Sequence, residues 1–229
     1  DPVIRLERIS KSFGSVHANR EISLEISRGR VLALLGENGA GKSTLMSMLA
    51  GQLQPDSGAI YHEGKKVVFS STEKAIEAGI GMVYQHFKLV DAMSVAENVF
   101  LGQSESVWLR KKKMNSIVSD LAESYGMQLD PSAIISELSM GEKQQVEILK
   151  LLFRKSNILI FDEPTAVLTP HEAKNLFNTM KQMVSAGKAI VFISHKLEEV
   201  MSIADDIAIL KKGEVIEVRP ASEVGSTAE

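Results

Sequence analysis

Nine consecutive residues, Gly36-Glu37-Asn38-Gly39-Ala40-Gly41-Lys42-Ser43-Thr44, carry the clearest chemistry in this chain. They satisfy the pattern G-x-x-x-x-G-K-[ST] at every fixed position. Glycines let a backbone wrap phosphate oxygens without a clashing Cβ. The ammonium of Lys42 can reach terminal phosphates, and the Ser43 hydroxyl can ligate Mg²⁺. The alternative for so short a match is a glycine-rich turn, and the flanks argue against it. Val31-Leu32-Ala33-Leu34-Leu35 before it reads as a buried strand, and Leu45-Met46-Ser47-Met48-Leu49-Ala50 after it as a short apolar helix closed by Gly51. A strand–loop–helix unit aims backbone N–H groups and the positive end of a helix dipole at one point. These residues predict a nucleoside triphosphate site lined by Gly36, Asn38, Gly39, Ala40, Gly41, Lys42, Ser43 and Thr44.

Two further motifs bear on it. Asp162 and Glu163 emerge from the apolar run Ile158-Leu159-Ile160-Phe161. Ligands of open parallel sheets bind at the carboxyl ends of strands, where an Asp can hold Mg²⁺ and the next carboxylate can polarise a water. By themselves, the two acids could equally open an exposed turn before Pro164. In Leu138-Ser139-Met140-Gly141-Glu142-Lys143-Gln144, Ser139 and Glu142 fit a capping box ahead of Val146, Leu149 and Leu152. That stretch reads either as a well-capped helix or as a helix N-terminus that receives phosphate.

The elements that must position these groups follow from patterning. Alternation at Val3, Ile4, Leu6 and Ile9, then at Ile22, Leu24 and Ile26, predicts antiparallel strands, with short strands again around Ile60 and Val67. From about 95 to 155 the pattern turns helical, with Val99, Leu101, Ile117, Val118, Leu121 and Tyr125 at helix-like spacings. Ile158–Phe161 and Ala189-Ile190-Val191-Phe192-Ile193 read as buried parallel strands, and Ile207–Val218 as a hairpin turning near Gly213. The expected fold is α/β: a phosphate-loop ATPase core with a mostly parallel sheet, an N-terminal antiparallel β subdomain and a helical subdomain. The expected division is 1–95 and 156–229 for the core and about 96–155 for the helical part.

Composition narrows the class. With 229 residues and 44% apolar content, the chain can form one large domain or a core with a subdomain. A net charge of -3 gives no basic field for nucleic acid, and the run Arg110-Lys111-Lys112-Lys113 reads as a solvated helix face or loop. With no cysteine there is no disulfide framework or thiolate metal site. No apolar run approaches the ~20 residues of a membrane span, and no secretory leader is legible. Opening on Asp1 and stopping soon after a hairpin, the chain is expected to be a piece of a longer polypeptide.

The phosphate loop, the Leu138–Gln144 segment, Asp162-Glu163 and Ser194-His195 together resemble the nucleotide-binding domain of ATP-binding cassette (ABC) transporters in order and spacing. The resemblance covers essentially the whole chain, and Leu138–Gln144 is its most specific part. It implies that Phe13, in Lys11-Ser12-Phe13-Gly14, stacks on adenine. It implies that Gln85 contacts Mg²⁺ and attacking water and couples to the membrane domain, joining Ser43 and Asp162 at the metal. Ser139 and Gly141 are then the residues that bind the γ-phosphate of a nucleotide held by a second cassette. Glu163 is the implied catalytic base, and His195 the implied γ-phosphate contact. Without the resemblance, Phe13 reads as a core aromatic and His195 as a strand-end cap.

The chain departs from the family pattern at Met140, where a second glycine is usual, at Glu142, where a glutamine is usual, and at Thr169, where an aspartate is usual. Thr169 can still cap the next helix, with Pro170 at its first position and Glu172 completing a capping box. Pro164–Thr169 and Ile193–Val200 resemble the simple-sugar importer ATPases. Met82–Val90 with Leu138–Glu142 looks closer to the branch importing nucleosides and related ring compounds such as riboflavin. That likeness implies two cassettes in one polypeptide, of which this is the N-terminal one. It also implies permease subunits in the membrane, an extracytoplasmic solute receptor acting indirectly, and a peripheral position at the cytoplasmic face of the inner or plasma membrane. The expected activity is ATP hydrolysis with Mg²⁺, driving solute import. Two rivals share the motifs. One is a ribosome-associated tandem-cassette ATPase, disfavoured by the absence of a basic field. The other is a weakly hydrolysing nucleotide switch, disfavoured by Glu163.

Overall fold

In the computed structural model, which describes residues 2–102 and 110–224, the alternating N-terminal stretch forms two long strands, β1 (Pro2–Phe13) and β2 (Val16–Ser27). They pair antiparallel, with register shifts along β1. The buried apolar run β3 (Val31–Leu35) leads through the glycine-rich loop into α1 (Lys42–Leu49). Then come β4 (Ser57–His62) and β5 (Lys65–Val67), which complete a four-stranded antiparallel sheet in the order β2-β1-β4-β5. The chain continues through α2 (Thr72–Glu77), β6 (Ile80–Val83), α3 (Val95–Phe100), α4 (Lys111–Ser124) and α5 (Met140–Phe153), the last preceded by a 3-10 turn at Ile135–Glu137. It ends with β7 (Ile158–Asp162), α6 (Pro170–Ser185), β8 (Ala189–Ser194), α7 (Leu197–Ile203), β9 (Asp206–Lys211), β10 (Glu214–Pro220) and the short α8 (Ala221–Val224).

The second sheet has the order β10-β9-β3-β8-β7-β6. Its pairs are parallel except β10 on β9, an antiparallel edge built by the hairpin around Gly213. Because side chains alternate across a strand, each central strand feeds two cores. Val31, Ala33, Leu159, Phe161, Ile190 and Phe192 face the side packed by α3 to α6. Leu32, Leu34, Ile158, Ile160, Val191 and Ile193 face α1 and the antiparallel sheet. This two-sided burial is why the strands read as unbroken apolar runs. Their carboxyl ends all open on one edge, where the glycine-rich loop and the acidic pair lie.

Some local expectations shift by a few residues. The helix after the loop starts at Lys42, so the motif's own Lys-Ser-Thr forms its first turn. Leu101 and Tyr125 lie just past α3 and α4, because Gly102 and Gly126 follow them at φ 80° and 66° and end the helices. Residues 103–109, within the expected helical segment 96–155, lie outside the described residues. Among the described residues, no helix is long and apolar enough to cross a membrane.

Candidate functional site

The loop between β3 and α1 is held from outside by backbone contacts. Gly213 N–H donates to Ala40 O at 3.0 Å, and the buried Asn19 donates through Nδ2 to Gly41 O at 3.0 Å. Gly41 sits at φ 100°, and a Cβ there would lie 2.2 Å from Ala18 O. A Cβ on Gly36 would lie 2.4 Å from Leu210 O. The two fixed glycines of the motif thus answer to close backbone approach as well as to loop curvature. No side chain caps the N-terminus of α1, whereas α3, α5 and α6 each carry a complete capping box. Its N–H groups and dipole are left facing the loop, suited to an anion.

An open cavity of about 670 Å³ lies over this loop. Asn38, Gly39, Ala40, Gly41, Lys42, Ser43, Thr44, Gln85, Asp162, Glu163 and His195 all line it. Arg20 and Lys212 also line it and add two cations to its wall. Lys42 is 5% exposed and donates from Nζ to Gly36 O at 2.6 Å and Glu37 O at 3.0 Å. Burial lowers its pKa, opposed by the nearby charges of Glu163 and Asp162. Ser43 Oγ donates to Asp162 Oδ1 at 3.0 Å. Burial raises the pKa of Asp162, with the Ser43 hydrogen bond pulling the other way and Glu163 adding to the rise. Asp162 is therefore a carboxylate whose charge lacks full compensation, next to a hydroxyl. Mg²⁺ takes oxygen ligands and is commonly held by one or two protein groups plus phosphates and waters. Ser43, Asp162 and the nearby Gln85 match that donor set. Among the described residues no cluster of three or more acidic, His or Cys groups offers an all-protein cage.

Glu163 follows β7 with φ 48°, a left-handed conformation that a non-glycine residue rarely holds. Its N–H donates to Ile193 O at 3.1 Å across to β8. Both carboxylate oxygens lie 3.0 Å from His195 Nδ1. The ring tautomer that donates from Nδ1 leaves Nε2 as an acceptor, and only the imidazolium donates from both nitrogens. The strand-end turn after β8 is instead closed by Ser194, whose Oγ accepts from Lys196 N at 3.1 Å, so His195 is not the cap. Phe13 is 49% exposed at the end of β1, which removes its reading as a core aromatic. It is not part of the cavity wall, although Ser15 and Val16 just beyond it are. Gly36 borders an adjoining recess that also touches Asn38 and His195.

Ser139 and Gly141 are not brought to this cavity. They line a second one, about 590 Å³, between the start of α5 and the side of α6. Its walls carry six amide side chains but no phosphate loop, so the chemistry favours the first cavity. The capping box at Ser139 is formed in full, with Glu142 N–H donating to Ser139 Oγ at 3.2 Å and Ser139 N–H to Glu142 Oε2 at 2.8 Å. Thr169 and Glu172 form the same device at α6 with Pro170 in the first turn.

Several contacts without a local signature complete the frame. Glu172 also accepts from Gly141 N at 3.1 Å, tying α6 to the start of α5. Glu147 accepts from Lys88 N at 2.7 Å and Lys150 donates to Lys88 O at 2.8 Å, pinning the segment after Gln85 onto α5. Asn98 holds Val90 through both its backbone N–H and C=O. Glu199 on α7 accepts from Thr165 and Ser194. Apart from Asn98 with Val90 and Glu199 with Ser194, these contacts span distant parts of the chain, and only the strings around Gln85 and His195 hinted at them.

The chain is 46% identical over 219 residues to a nucleoside import ATP-binding protein of Lactococcus lactis subsp. cremoris, covering 95% of this chain and 43% of that protein. It is 48% identical over 216 residues to a guanosine import ATP-binding protein of Bacillus subtilis, covering 93% and 42%. It thus spans less than half the length of these curated relatives. A crystal structure of a nucleotide-free ATP-binding cassette from an ABC transporter superposes with a TM-score of 0.88 at 25% identity, covering 98% of this chain and 94% of that one. The family profile described as ABC transporter matches residues 19–166, which run from the loop's anchor at Asn19 through Glu163, and the chain belongs to that family.

Proposed function

We propose that this chain is an ATP-binding and hydrolysing cassette that energises import of a small solute, a nucleoside, a sugar or a related ring compound. The relatives' names, nucleoside and guanosine import ATP-binding proteins, support the solute class. The observation that carries the chemistry is the meeting of three pairs in one cavity: Lys42 with its loop, Ser43 with Asp162, and Glu163 with His195. In this reading Lys42 exchanges its loop carbonyls for phosphate oxygens. Ser43, Asp162 and Gln85 would hold Mg²⁺, which would supply charge neutralisation on the phosphates. Glu163 orients and polarises the attacking water, while His195 holds Glu163 through Nδ1; a simultaneous contact from Nε2 to the terminal phosphate uses the imidazolium form, in which both ring nitrogens donate. Phe13 serves the adenine from the rim. Residues 96–155 act as a helical subdomain within one domain spanning 1–229.

The partners in this reading are a second cassette in the rest of the same polypeptide, permease subunits, and indirectly an extracytoplasmic receptor, with the cassette peripheral at the cytoplasmic face. Ser139 and Gly141 serve the second cassette's nucleotide, in keeping with their distance from this chain's own loop. One observation favours a slower, more switch-like cycle. The Gly141 N–H assigned to that γ-phosphate already donates to Glu172, whose carboxylate leaves no room for a Cβ at 141. The test uses the full-length protein with its permease subunits in vesicles. Glu163→Gln should retain ATP binding and abolish turnover, and the isolated 229-residue chain should be mainly monomeric and slow. Near-normal hydrolysis by Glu163→Gln, or vigorous cooperative turnover by the isolated chain, would contradict the proposal.

A further inference from the structure

Two loops carry the paired groups of the reaction centre. Glu163 opens the loop after β7, and His195 opens the loop after β8. Among the described residues, one side chain hydrogen-bonds to both of these segments behind that pair. Glu199, in the first turn of α7, accepts through Oε2 from Thr165 Oγ1 at 2.6 Å and from Ser194 Oγ at 3.2 Å. Its Oε1 accepts from Lys196 Nζ at 3.0 Å. Thr165 lies two residues after Glu163, and Ser194 immediately precedes His195. Thr165 is 4% exposed and Ser194 is fully buried, so neither hydroxyl has ready access to water in place of Glu199. None of Thr165, Ser194 and Glu199 lines the nucleotide cavity, whereas their neighbours Glu163, Ala166 and His195 do.

From this arrangement we infer that Glu199 is a positioning residue for ATP hydrolysis: its carboxylate fixes the Glu163 loop against the His195 loop and so sets the aim of both groups. The inference rests on the proposed reaction at Glu163. The physical requirement is alignment. His195 is half exposed, and Glu163 sits in a left-handed backbone conformation. Neither is locked by packing alone. The Glu163 N–H to Ile193 O contact links the loops at their base, and Glu199 links them two residues further out. Misplacing a reacting group by ~1 Å can cost on the order of 100-fold in rate. Binding uses the loop at residues 36–44, which Glu199 does not touch.

The experiment measures steady-state turnover and ATP-analogue affinity in the full-length transporter for Glu199→Ala, Glu199→Gln, Thr165→Val and the Ala/Val double variant, beside Glu163→Gln. Glu199→Ala should lower kcat by about 10- to 100-fold while ATP affinity stays within about 3-fold. Glu199→Gln should recover most of the rate, because an amide carbonyl still accepts from Thr165 and Ser194. The Glu199→Ala and Thr165→Val effects should fall short of adding, since both remove the Glu199–Thr165 hydrogen bond. If Glu199→Ala does not fold, Thr165→Val and Glu199→Gln decide, with a lowered kcat at unchanged affinity expected for the first and near-normal kcat for the second. Unchanged kcat in Glu199→Ala, affinity falling in step with rate, or full additivity of the pair overturns the inference. A Glu163→Gln protein that still turns over would instead overturn the underlying assignment of the reaction.

Discussion

Replacing Lys42 with methionine separates what this residue does for the fold from what it does for the ligand. The thioether keeps most of the stem's volume in a site that is 5% exposed. Two loop carbonyls, Gly36 O and Glu37 O, each lose one donor, at about 1–3 kcal/mol if left wholly unpaired. Against that, a partly desolvated cation is removed, and burying one costs several kcal/mol before compensation. The opposing effects are of similar size, so the stability change without nucleotide should be smaller than about 2 kcal/mol in either direction. With nucleotide nothing offsets the loss. Truncating one member of a desolvated charge pair costs about 2–5 kcal/mol, or roughly 30- to 5000-fold in affinity. The native chain should also show a pH signature. Because burial lowers the pKa of Lys42, ATP affinity should begin to fall below the ordinary lysine value of 10.5 as the cation is lost, and the variant should lack that component. Fluorescence titration with an ATP analogue and urea unfolding of the same samples make the comparison. Affinity within about 3-fold of native, or a stability loss exceeding the binding loss, would refute the reasoning.

Asp162→Asn should raise the unfolding midpoint at pH 7 while abolishing the Mg²⁺-dependent gain in nucleotide affinity. The folded chain holds the Asp162 proton more tightly than the unfolded chain does. Stability therefore falls as pH rises from the ordinary 3.8 through the raised value and stays lower above it, a dependence that the amide removes while keeping an acceptor for Ser43; a lowered midpoint would argue against it. Gly41→Ala should destabilise the protein by about 2–4 kcal/mol in urea, from a φ of 100° and a Cβ 2.2 Å from Ala18 O; ordinary stability would show that the loop is not clamped against β2.

The parts of the molecule legible in the sequence are those whose physics is local. The glycine loop, the three-residue reach of the capping boxes at Ser139 and Thr169, and the alternation in β1 and β2 each lie within one short window. The two-faced strands β3, β7 and β8 were legible for a related reason, since burial on both sides leaves an unbroken apolar run. What could not be read is what crosses the chain. Asn19 meets Gly41 at 22 residues' separation, Glu172 meets Gly141 at 31, Glu199 meets Thr165 at 34, and Glu147 meets Lys88 at 59. A single Glu on a helix surface has the same local pattern whether it faces water or a buried hydroxyl. Phe13 shows the reverse problem: an aromatic next to a turn glycine looks like core until the end of β1 proves exposed.

The left-handed backbone of Glu163 sets stability and activity against each other at a single position. Holding a glutamate at φ 48° carries strain of about 1–2 kcal/mol that glycine would relieve and asparagine would reduce. If Glu163 acts on the attacking water as proposed, a selection for heat resistance that never asks for ATP turnover would drift toward those two residues and deliver a sturdier, silent cassette. Consensus engineering and thermal-shift screening of this protein therefore need an activity counter-screen at residue 163 above all others. On the proposed role of Glu163, activity is what holds this residue in place against the local preference of the chain.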